Sequence, residues 1–177
     1  MHDCADVNLV PLGRQHLAQT RAWANDPELM RLMDRSRAVS EAEHETWFAS
    51  ITSREDCAYF AIEEVGERRH VGNVWLWAID PRHRKAELRI VVGAPSARGR
   101  GVGRHAIDAL CRDAFERLNL HRIYAHVLTI NPGAKRAFEL AGFIVEGLLK
   151  DDRLTDGGFV DAWLLARVAG RTSAASG

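Results

Sequence analysis

The clearest periodic pattern in the chain lies between residue 102 and residue 118. Apolar residues there recur at i, i+3, i+4 and i+7, the spacing of one buried face of a helix. A strand-like apolar run at residues 87–92 comes before it, and a glycine-rich turn joins the two. The sequence therefore predicts a strand, a tight turn and an amphipathic helix. The predicted buried face of this helix consists of Ile107, Leu110, Cys111, Ala114, Phe115 and Leu118.

The rest of the pattern predicts helices first and then a meander of antiparallel strands. Ser40 and Glu43 have the spacing of a capping box, and Pro27 suits the first turn of a helix. The predicted helices are at 14–24, 27–33, 41 onward and 131–142, and the predicted strands are at 7–12, 57–64, 70–79, 86–93 and 122–129, followed by a hairpin that ends at 168.

Composition indicates one globular domain. The chain has 177 residues, of which 46% are hydrophobic and 27% charged. We expect the domain to span residues 1–168 and the small, polar stretch 169–177 to be a disordered tail. The three cysteines form no C-x-x-C pair, which argues against a zinc site or a disulfide framework and is typical of a cytoplasmic protein. No signal-like or membrane-spanning run is seen, so no membrane role is expected.

The turn Arg98-Gly99-Arg100-Gly101-Val102-Gly103 predicts an anion site. Its glycines leave backbone N–H groups uncovered, and the following helix directs its positive end to the same place, so a pyrophosphate is the expected ligand. Residues 101–106 also match the dinucleotide fingerprint G-x-G-x-x-A, but no Asp or Glu lies between Glu116 and Glu139 to bind the ribose. A dinucleotide-binding oxidoreductase and a purely structural turn stay open as alternatives.

Two motifs resemble the GCN5-related N-acetyltransferase (GNAT) superfamily. Arg98, Gly101 and Gly103 match its Arg/Gln-x-x-Gly-x-Gly/Ala coenzyme motif, and a second family element follows about thirty residues later. The resemblance implies an α/β (α+β) GNAT fold, with a central mixed, mostly antiparallel sheet of about seven strands flanked by helices. It also implies acetyl-coenzyme A as co-substrate, direct attack by an amine, and no metal. The second element reads Asn131, Ala134, Phe138, Gly142 and Phe143.

The resemblance leaves the acceptor open. Residues 79–88 and 142–147 are similar to the branch of spermidine and ribosomal-protein N-terminal acetyltransferases, whereas residues 23–28 and 43–48 resemble enzymes that acetylate nucleotide-linked amino sugars. The favoured function is acetylation of a small amine such as a polyamine or amino sugar. The alternatives are acetylation of a peptide N-terminus and a non-catalytic role as a sensor of acyl-coenzyme A. Residues 1–70 hold 13 acids against 8 Lys/Arg, and residues 71–177 hold 11 against 16, which indicates an acidic amine side and a cationic acceptor.

Family likeness assigns the expected roles. Glu87 is the candidate general base. Phe138 stands where many relatives have a proton-donating tyrosine, and Tyr124 on the adjoining strand is the candidate acid in its place. Backbone N–H groups near Ile90–Val92 are expected to polarise the thioester carbonyl. A bulge is also expected between residues 87 and 98. The expected coenzyme contacts are Ile90, Val91, Val92, Arg98, Gly99, Arg100, Gly101, Val102, Gly103, Arg104, Asn131, Lys135 (with Arg136) and Phe138.

Substrate contacts are expected on the N-terminal helices. Trp23, Glu28 and Trp47 are the first candidates, and Asp34, Glu41 and Glu45 are weaker ones for a cationic amine. Two Glu-x-x-His pairs lack the facing-helix arrangement of a di-iron site, so no metal is expected. An isoelectric point near 7.1 without interleaved aromatics argues against nucleic acid. A homodimer is left open.

Overall fold

The computed structural model describes residues 7–33 and 35–170, and in it seven strands form one sheet in the order β1-β2-β3-β4-β5-β7-β6. The strands are β1 (Val7–Pro11), β2 (Ala58–Glu64), β3 (His70–Asp80), β4 (Lys85–Val92), β5 (Arg122–Leu128), β6 (Ile144–Thr155) and β7 (Gly158–Val168). The helices are α1 (Leu17–Ala24), α2 (Pro27–Leu32), α3 (Glu41–Thr52), α4 (Val102–Glu116) and α5 (Pro132–Leu140), with 3₁₀ turns at Arg14–His16 and Pro95–Ala97. The predicted fold class, a mixed and mostly antiparallel sheet flanked by helices, is confirmed.

The parallel pair β4–β5 separates along its length. Pairing joins Lys85–Glu87 to Arg122–Tyr124 and stops there, although β4 continues to Val92 and β5 to Leu128. The other edge of β4 stays paired with β3 as far as Val92. Beyond Glu87, the edge of β4 that faces β5 therefore has no strand partner, which leaves a wedge-shaped gap in the middle of the sheet.

The bulge expected between residues 87 and 98 is not found in β4. Pairing of β4 with β3 runs without a shift from Glu87 to Val92, and the irregularity lies in β3, between Trp77 and Asp80. Ala78 has a φ of +50° at that point. The extra residue is therefore accommodated in β3, next to the turn that leads into β4.

The two faces of the sheet bury different layers, because alternate side chains of a strand point to opposite sides. Leu88 and Ile123 pack on one face against Ile107 and Leu110 of α4, and α5 lies on the same side. The other face carries α1 to α3, where Phe48 and Ile51 pack over Ala61 and Trp23 packs on Val91. Glu87, Arg89 and Val91 alternate along β4 and so belong to this second face.

The amphipathic helix is shorter than its hydrophobic pattern. Ile107, Leu110, Cys111 and Ala114 are buried, and Phe115 packs at the edge of the core. Leu118 is 45% exposed, so its assignment to the buried face was wrong. The helix ends at Glu116, so Leu118 lies beyond its last turn, and Asn119 with a φ of +52° redirects the chain immediately after Leu118.

Three helices begin with a side-chain cap, and one of these caps is the predicted capping box. Asp26 accepts the backbone N–H of Leu29 at 3.0 Å, and Asn131 accepts that of Ala134 at 3.0 Å. Ser40 and Glu43 form the reciprocal capping box. These caps satisfy N–H groups that helix ends otherwise leave unpaired. The long helix α4 has no such cap.

None of the helices in the ranges 7–33 and 35–170 has the length and apolar character needed to span a membrane. Cys57 and Cys111 are both buried with free thiols. Residues 171–177, which make up most of the predicted disordered stretch, lie outside the described residues, and so do Cys4 and Asp34.

Candidate active site

The uncapped N-terminus of α4 is the most electropositive backbone feature of the site. Gly101, the residue before the helix, has a φ of +84°, and Gly99 has a φ of +74°. No side chain caps Gly101, and no acidic residue lies in the first turn. Such a helix start presents N–H groups and the positive end of the helix dipole to an anion.

Arg98 holds this turn to the end of β4 instead of projecting freely. Its Nε donates to the carbonyl of Val92 at 3.0 Å, and its Nη2 donates to that of Gly93 at 3.2 Å. Its Nη1 forms an ion pair with Glu28 at 3.0 Å. The guanidinium therefore ties the glycine turn, β4 and α2 together, and Glu28 lies beside the turn.

A cavity of about 470 Å³ opens between α2, β4, the glycine turn and the start of α5. We call it the turn cavity. It brings together ten of the predicted coenzyme contacts and also contains Glu28, which had been expected in the acceptor pocket. The predicted residues that line it are Ile90, Val91, Val92, Arg98, Gly99, Gly101, Val102, Gly103, Arg104 and Asn131, and Arg136 lines it as well.

Three predicted coenzyme contacts do not line the turn cavity. Arg100 forms an ion pair with Glu64 at 3.0 Å. Lys135 pairs with Glu139 one turn along α5. Phe138 is only 2% exposed, and its ring packs edge-on against another core phenylalanine. These side chains are engaged within the protein, and sequence spacing alone does not reveal such partners.

A second cavity of about 690 Å³ lies on the opposite face of the sheet, under α1 and α3. We call it the aromatic cleft. Trp23 and Trp47, the predicted substrate contacts, both line it. Met33 and Val91 line this cleft and the turn cavity as well, so the two spaces meet across β4. Its other aromatic walls are Tyr59, Trp75 and Trp77.

The charge of the aromatic cleft is opposite to the expectation of an acidic amine side. Glu43 is the one carboxylate among its described lining residues. Glu41 and Glu45, proposed to hold a cationic amine, instead form ion pairs on the outer side of α3 and do not line the cleft. Regional charge counts do not tell which side chains line a cavity, so the acidic amine side expected from the sequence is not found in the lining of this cleft. The cationic lining residues are Arg35, Arg37, Arg54 and Arg89.

Glu87 is a buried carboxylate at the last paired position of β4 and β5. It is 7% exposed and lies opposite Trp77 on β3 and Tyr124 on β5. It accepts a hydrogen bond from Arg89 Nη2 at 2.9 Å, and its Oε1 lies 3.3 Å from His126 Nδ1. Burial works to raise the pKa of Glu87, but the hydrogen bonds from His126 and Arg89 outweigh it and lower the pKa below its ordinary value. The carboxylate is therefore ionised at neutral pH.

His126 is a functional candidate that the sequence analysis missed. It lies two residues after Tyr124 on β5, where β5 has already separated from β4, and its side chain is 28% exposed. With Nδ1 directed at Glu87, the Nε2 atom is left to face outward. The available signal was the two-residue spacing from Tyr124 on a strand, which puts both side chains on the face of Glu87.

Tyr124 lies beside Glu87 and its ring meets that of His126 edge-on, with centroids 5.8 Å apart. It lines neither the turn cavity nor the aromatic cleft. Burial raises its pKa, and the nearby Glu87 charge adds to the effect. The phenol therefore stays protonated at neutral pH and retains a proton to donate.

Metal ligands do not converge in the described part of the chain. No group of three or more His, Cys, Asp or Glu side chains there has the arrangement of a metal site. The polar groups of the site are instead a helix N-terminus, a buried carboxylate–histidine pair and several arginines.

Comparison with known proteins identifies the family. A sequence profile described as an acetyltransferase (GNAT) domain matches residues 6–144. The spermidine N(1)-acetyltransferase of Vibrio cholerae is 36% identical over 102 residues, 58% of this chain and 58% of that enzyme. The spermidine N(1)-acetyltransferase of Escherichia coli K12 is 27% identical over 162 residues, covering 92% and 86% of the two chains.

Solved structures give the same relationship. The crystal structure of the V. cholerae spermidine N-acetyltransferase in complex with CoA and spermine has a TM-score of 0.86 at 28% identity, covering 92% of this chain and 95% of that one. A dodecameric structure of the V. cholerae enzyme has a TM-score of 0.75 at 26% identity, with coverage of 92% and 93%. The chain thus belongs to the GNAT acetyltransferases, and it is an N-acetyltransferase that uses acetyl-coenzyme A.

Proposed function

We propose that this enzyme transfers the acetyl group of acetyl-coenzyme A to a primary amine of a small molecule by direct attack, with Glu87 and His126 acting together as the base. The observation that carries the proposal is the meeting of two cavities at Val91 of β4. One cavity has an anion-binding helix start, the other has room for an acceptor, and Val91 lines both. Acetyl donor and amine can therefore approach each other across β4.

The turn cavity suits coenzyme A in its chemistry. The free N–H groups at the start of α4 bind the pyrophosphate, and Arg104 and Arg136 are the cations available for the remaining phosphate. Arg136 replaces Lys135 in this role, because Lys135 is paired with Glu139. The pantetheine arm runs along the unpaired edge of β4 and the thioester carbonyl accepts a backbone N–H near Ile90–Val92.

The Glu87–His126 pair explains how a carboxylate with a lowered pKa can still help to deprotonate the acceptor amine. Deprotonation of an amine with a pKa of about 10.4 costs roughly 4–5 kcal/mol at pH 7, whereas deprotonation of an α-amine with a pKa of about 7.8 costs only about 1 kcal/mol. Glu87 alone is a weak base, because its pKa is lowered. We propose that it stays ionised, accepts the hydrogen bond of the His126 Nδ1–H group and orients the ring, so that the neutral Nε2 atom takes the amine proton and the ring becomes an imidazolium.

The thiolate that leaves needs little assistance. A Cys-like thiol has a pKa near about 8.5, so the thiolate is a good leaving group near neutrality. Phe138 has no proton to give and is buried. Tyr124 remains the proposed acid, and Tyr124→Phe is expected to lower kcat without changing the affinity for coenzyme A.

Kinetics of matched variants test the base. Glu87→Gln and His126→Gln each should lower kcat/KM by roughly 10²–10⁴-fold, and the double variant should lose no more than the worse single one, because groups that act as a unit are not additive. Coenzyme A affinity, measured by calorimetry, should stay unchanged in all three. Undiminished turnover in Glu87→Gln would remove Glu87 from the mechanism, and losses that multiply in the double variant would show that the two groups act separately.

Relatives suggest which acceptors to test first. Because the similar enzymes are named for spermidine, a polyamine is the first acceptor to test, and a nucleotide-linked amino sugar and peptides beginning with Ala or Ser are tested beside it. Thiol release from acetyl-coenzyme A is the readout. Release with one class assigns the acceptor. Coenzyme binding with no release from any amine would favour the second candidate, a non-catalytic sensor, for which the loss of the tyrosine hydroxyl at Phe138 is the specific argument.

We also propose that the chain self-associates. Leu154 and Phe159 are directly paired near the tip of the β6–β7 hairpin and are 66% and 65% exposed. Exposed apolar pairs of this kind are typical of contact surfaces. Size-exclusion chromatography with light scattering on the enzyme and on a Phe159→Ser variant tests this, and a monomer at micromolar concentration would contradict it.

A further inference from the structure

We infer that the acceptor amine of this enzyme carries a negatively charged group, a phosphate or a carboxylate, that the arginines of the aromatic cleft bind. This inference rests on the proposed function, since it names the substrate class of the same site. It departs from the polyamine acceptors of the similar enzymes. Its basis is the charge, pairing and shape of the cleft.

The cleft offers an ammonium group no available carboxylate among its described lining residues. Glu43, the one acid there, is already engaged by the backbone N–H of Ser40 at 2.8 Å and by Arg37 at 2.7 Å. The hydrogen bonds from Ser40 and Arg37 lower the pKa of Glu43 to about 2. A polycation entering the cleft would have to compete with these bonds.

Arg35 is the guanidinium most available to a ligand. It follows α2, where its backbone N–H bonds to Met30 at 2.9 Å, and its side chain lines the cleft. It forms no ion pair with any described residue, whereas Arg37, Arg54 and Arg89 each have a carboxylate partner. Desolvation lowers the pKa of Arg35 from its ordinary value, although Tyr59 opposes this. A partly desolvated cation that has no carboxylate partner in the described part of the chain is a place where an anion is favoured.

The field inside the cleft is positive at a second point. His44 lines the cleft, and its pKa is lowered by desolvation first and then by the positive charges of Arg21 and Arg35, with Glu45 acting in the other direction. Two arginines thus raise the cost of placing another positive charge at this wall. The same field attracts an anion.

The aromatic walls do not form a free cage for an ammonium group. Arg54 lies over the Trp77 ring, 4.3 Å from its centroid, and Arg89 is 5.9 Å from the same ring. That ring therefore already has cation–π partners. Tyr59 and Trp75 stack on each other with centroids 5.3 Å apart. Together these walls give a broad apolar surface in a volume of about 690 Å³, which suits a ring-bearing acceptor better than a thin polyamine chain.

Matched acceptors test the inference directly. Glucosamine 6-phosphate is compared with glucosamine for the phosphate arm, β-alanine with its amide for the carboxylate arm, and spermidine serves as the polycation. Thiol release gives kcat/KM, and quenching of tryptophan fluorescence in the presence of coenzyme A gives binding without turnover. We expect the anionic member of at least one pair to exceed its neutral partner and spermidine by about tenfold or more in kcat/KM and affinity.

Arg35 variants show whether the cleft causes the preference. Arg35→Gln should remove about tenfold of the affinity for the anionic acceptor and leave its neutral partner unchanged. Arg35→Glu should lower the affinity for the anionic acceptor further and raise the affinity for spermidine. Arg82→Gln, in the turn before β4 and away from the cleft, is the matched control and should change neither. Unchanged coenzyme A affinity in every variant shows that the fold is intact.

The outcomes separate this inference from the proposed function. If the enzyme acetylates spermidine in preference to both anionic acceptors, the inference is overturned while acetyl transfer stands. The same holds if Arg35→Gln leaves a preference for the anionic acceptor intact. Preferential binding of an anionic amine with no acetyl transfer to any acceptor supports the inference and overturns the proposed function. Equal fluorescence responses to the members of both pairs also overturn the inference.

Discussion

Replacement of Gly101 by alanine is the sharpest test of the coenzyme turn. Gly101 precedes α4 with a φ of +84° and a ψ of −3°, and its carbonyl accepts the N–H of His105 at 3.0 Å. An L-residue in this left-handed region costs about 1–2 kcal/mol. The added Cβ would lie 3.4 Å from the nearest His105 ring atom, so steric contact adds little. The expected penalty is therefore backbone strain of about 1–2 kcal/mol, roughly a 5–30-fold change in the folded-to-unfolded ratio.

Gly103→Ala is the matched variant. Gly103 lies in the first turn of α4, and an added Cβ would make ordinary contacts, 3.6 Å from Val92 and 3.6 Å from Ala137. Because alanine favours a helix over glycine by roughly 1 kcal/mol, this variant should be as stable as the parent or more stable. The coenzyme motif also accepts alanine at this position, and the added Cβ makes only ordinary contacts, so the affinity for coenzyme A should stay close to that of the parent.

Urea unfolding gives the free energy of unfolding of each variant, and calorimetry with coenzyme A gives its affinity. We expect Gly101→Ala to lose both stability and affinity, since any relaxation of the strain moves the N–H groups of the helix start. Gly103→Ala should retain both. Equal stability of Gly101→Ala and the parent, with unchanged coenzyme binding, would refute the assignment of this turn, and so would destabilisation of Gly103→Ala to the same extent.

Two further predictions concern charged and titratable groups near the site. Buried Glu64 accepts hydrogen bonds from Arg69 at 2.6 Å and from Arg100 at 3.0 Å. Glu64→Gln should therefore lower the free energy of unfolding by about 1–3 kcal/mol in a urea titration. It should also raise the KM for acetyl-coenzyme A, because Arg100 anchors the glycine turn, and an unchanged KM would contradict that link. Desolvation lowers the pKa of His70, and the hydrogen bond that His70 Nε2 donates to Asn73 Oδ1 opposes this. The unfolded chain therefore takes up the proton more readily, and stability is lost as the pH falls below about 6.5. The stability of His70→Gln should decline less steeply between pH 7.5 and pH 5.5, and parallel curves for variant and parent would refute this.

Local signals in the sequence were sufficient for the elements and for the turn. The capping box at Ser40 and the Asn131-Pro132 helix start depend on residues within one turn of each other, and the structure has both. The left-handed conformations at Gly99 and Gly101 likewise follow from residue type. The end of α4 was harder to predict, because Leu118 continues the apolar spacing after the backbone has already turned away.

The sequence by itself determined the order of the elements, the anion-binding turn and the family motifs, because these depend on neighbouring residues. Tertiary structure alone decided which side chains meet. Arg100 finds Glu64 on β2, and His126 meets Glu87 across strands that are 39 residues apart in the chain. It also decided the charge of the acceptor cleft. Glu41 and Glu45 of α3 form ion pairs away from the cleft, whereas Arg35 lines it, and a count of charges along the chain carries no information about direction.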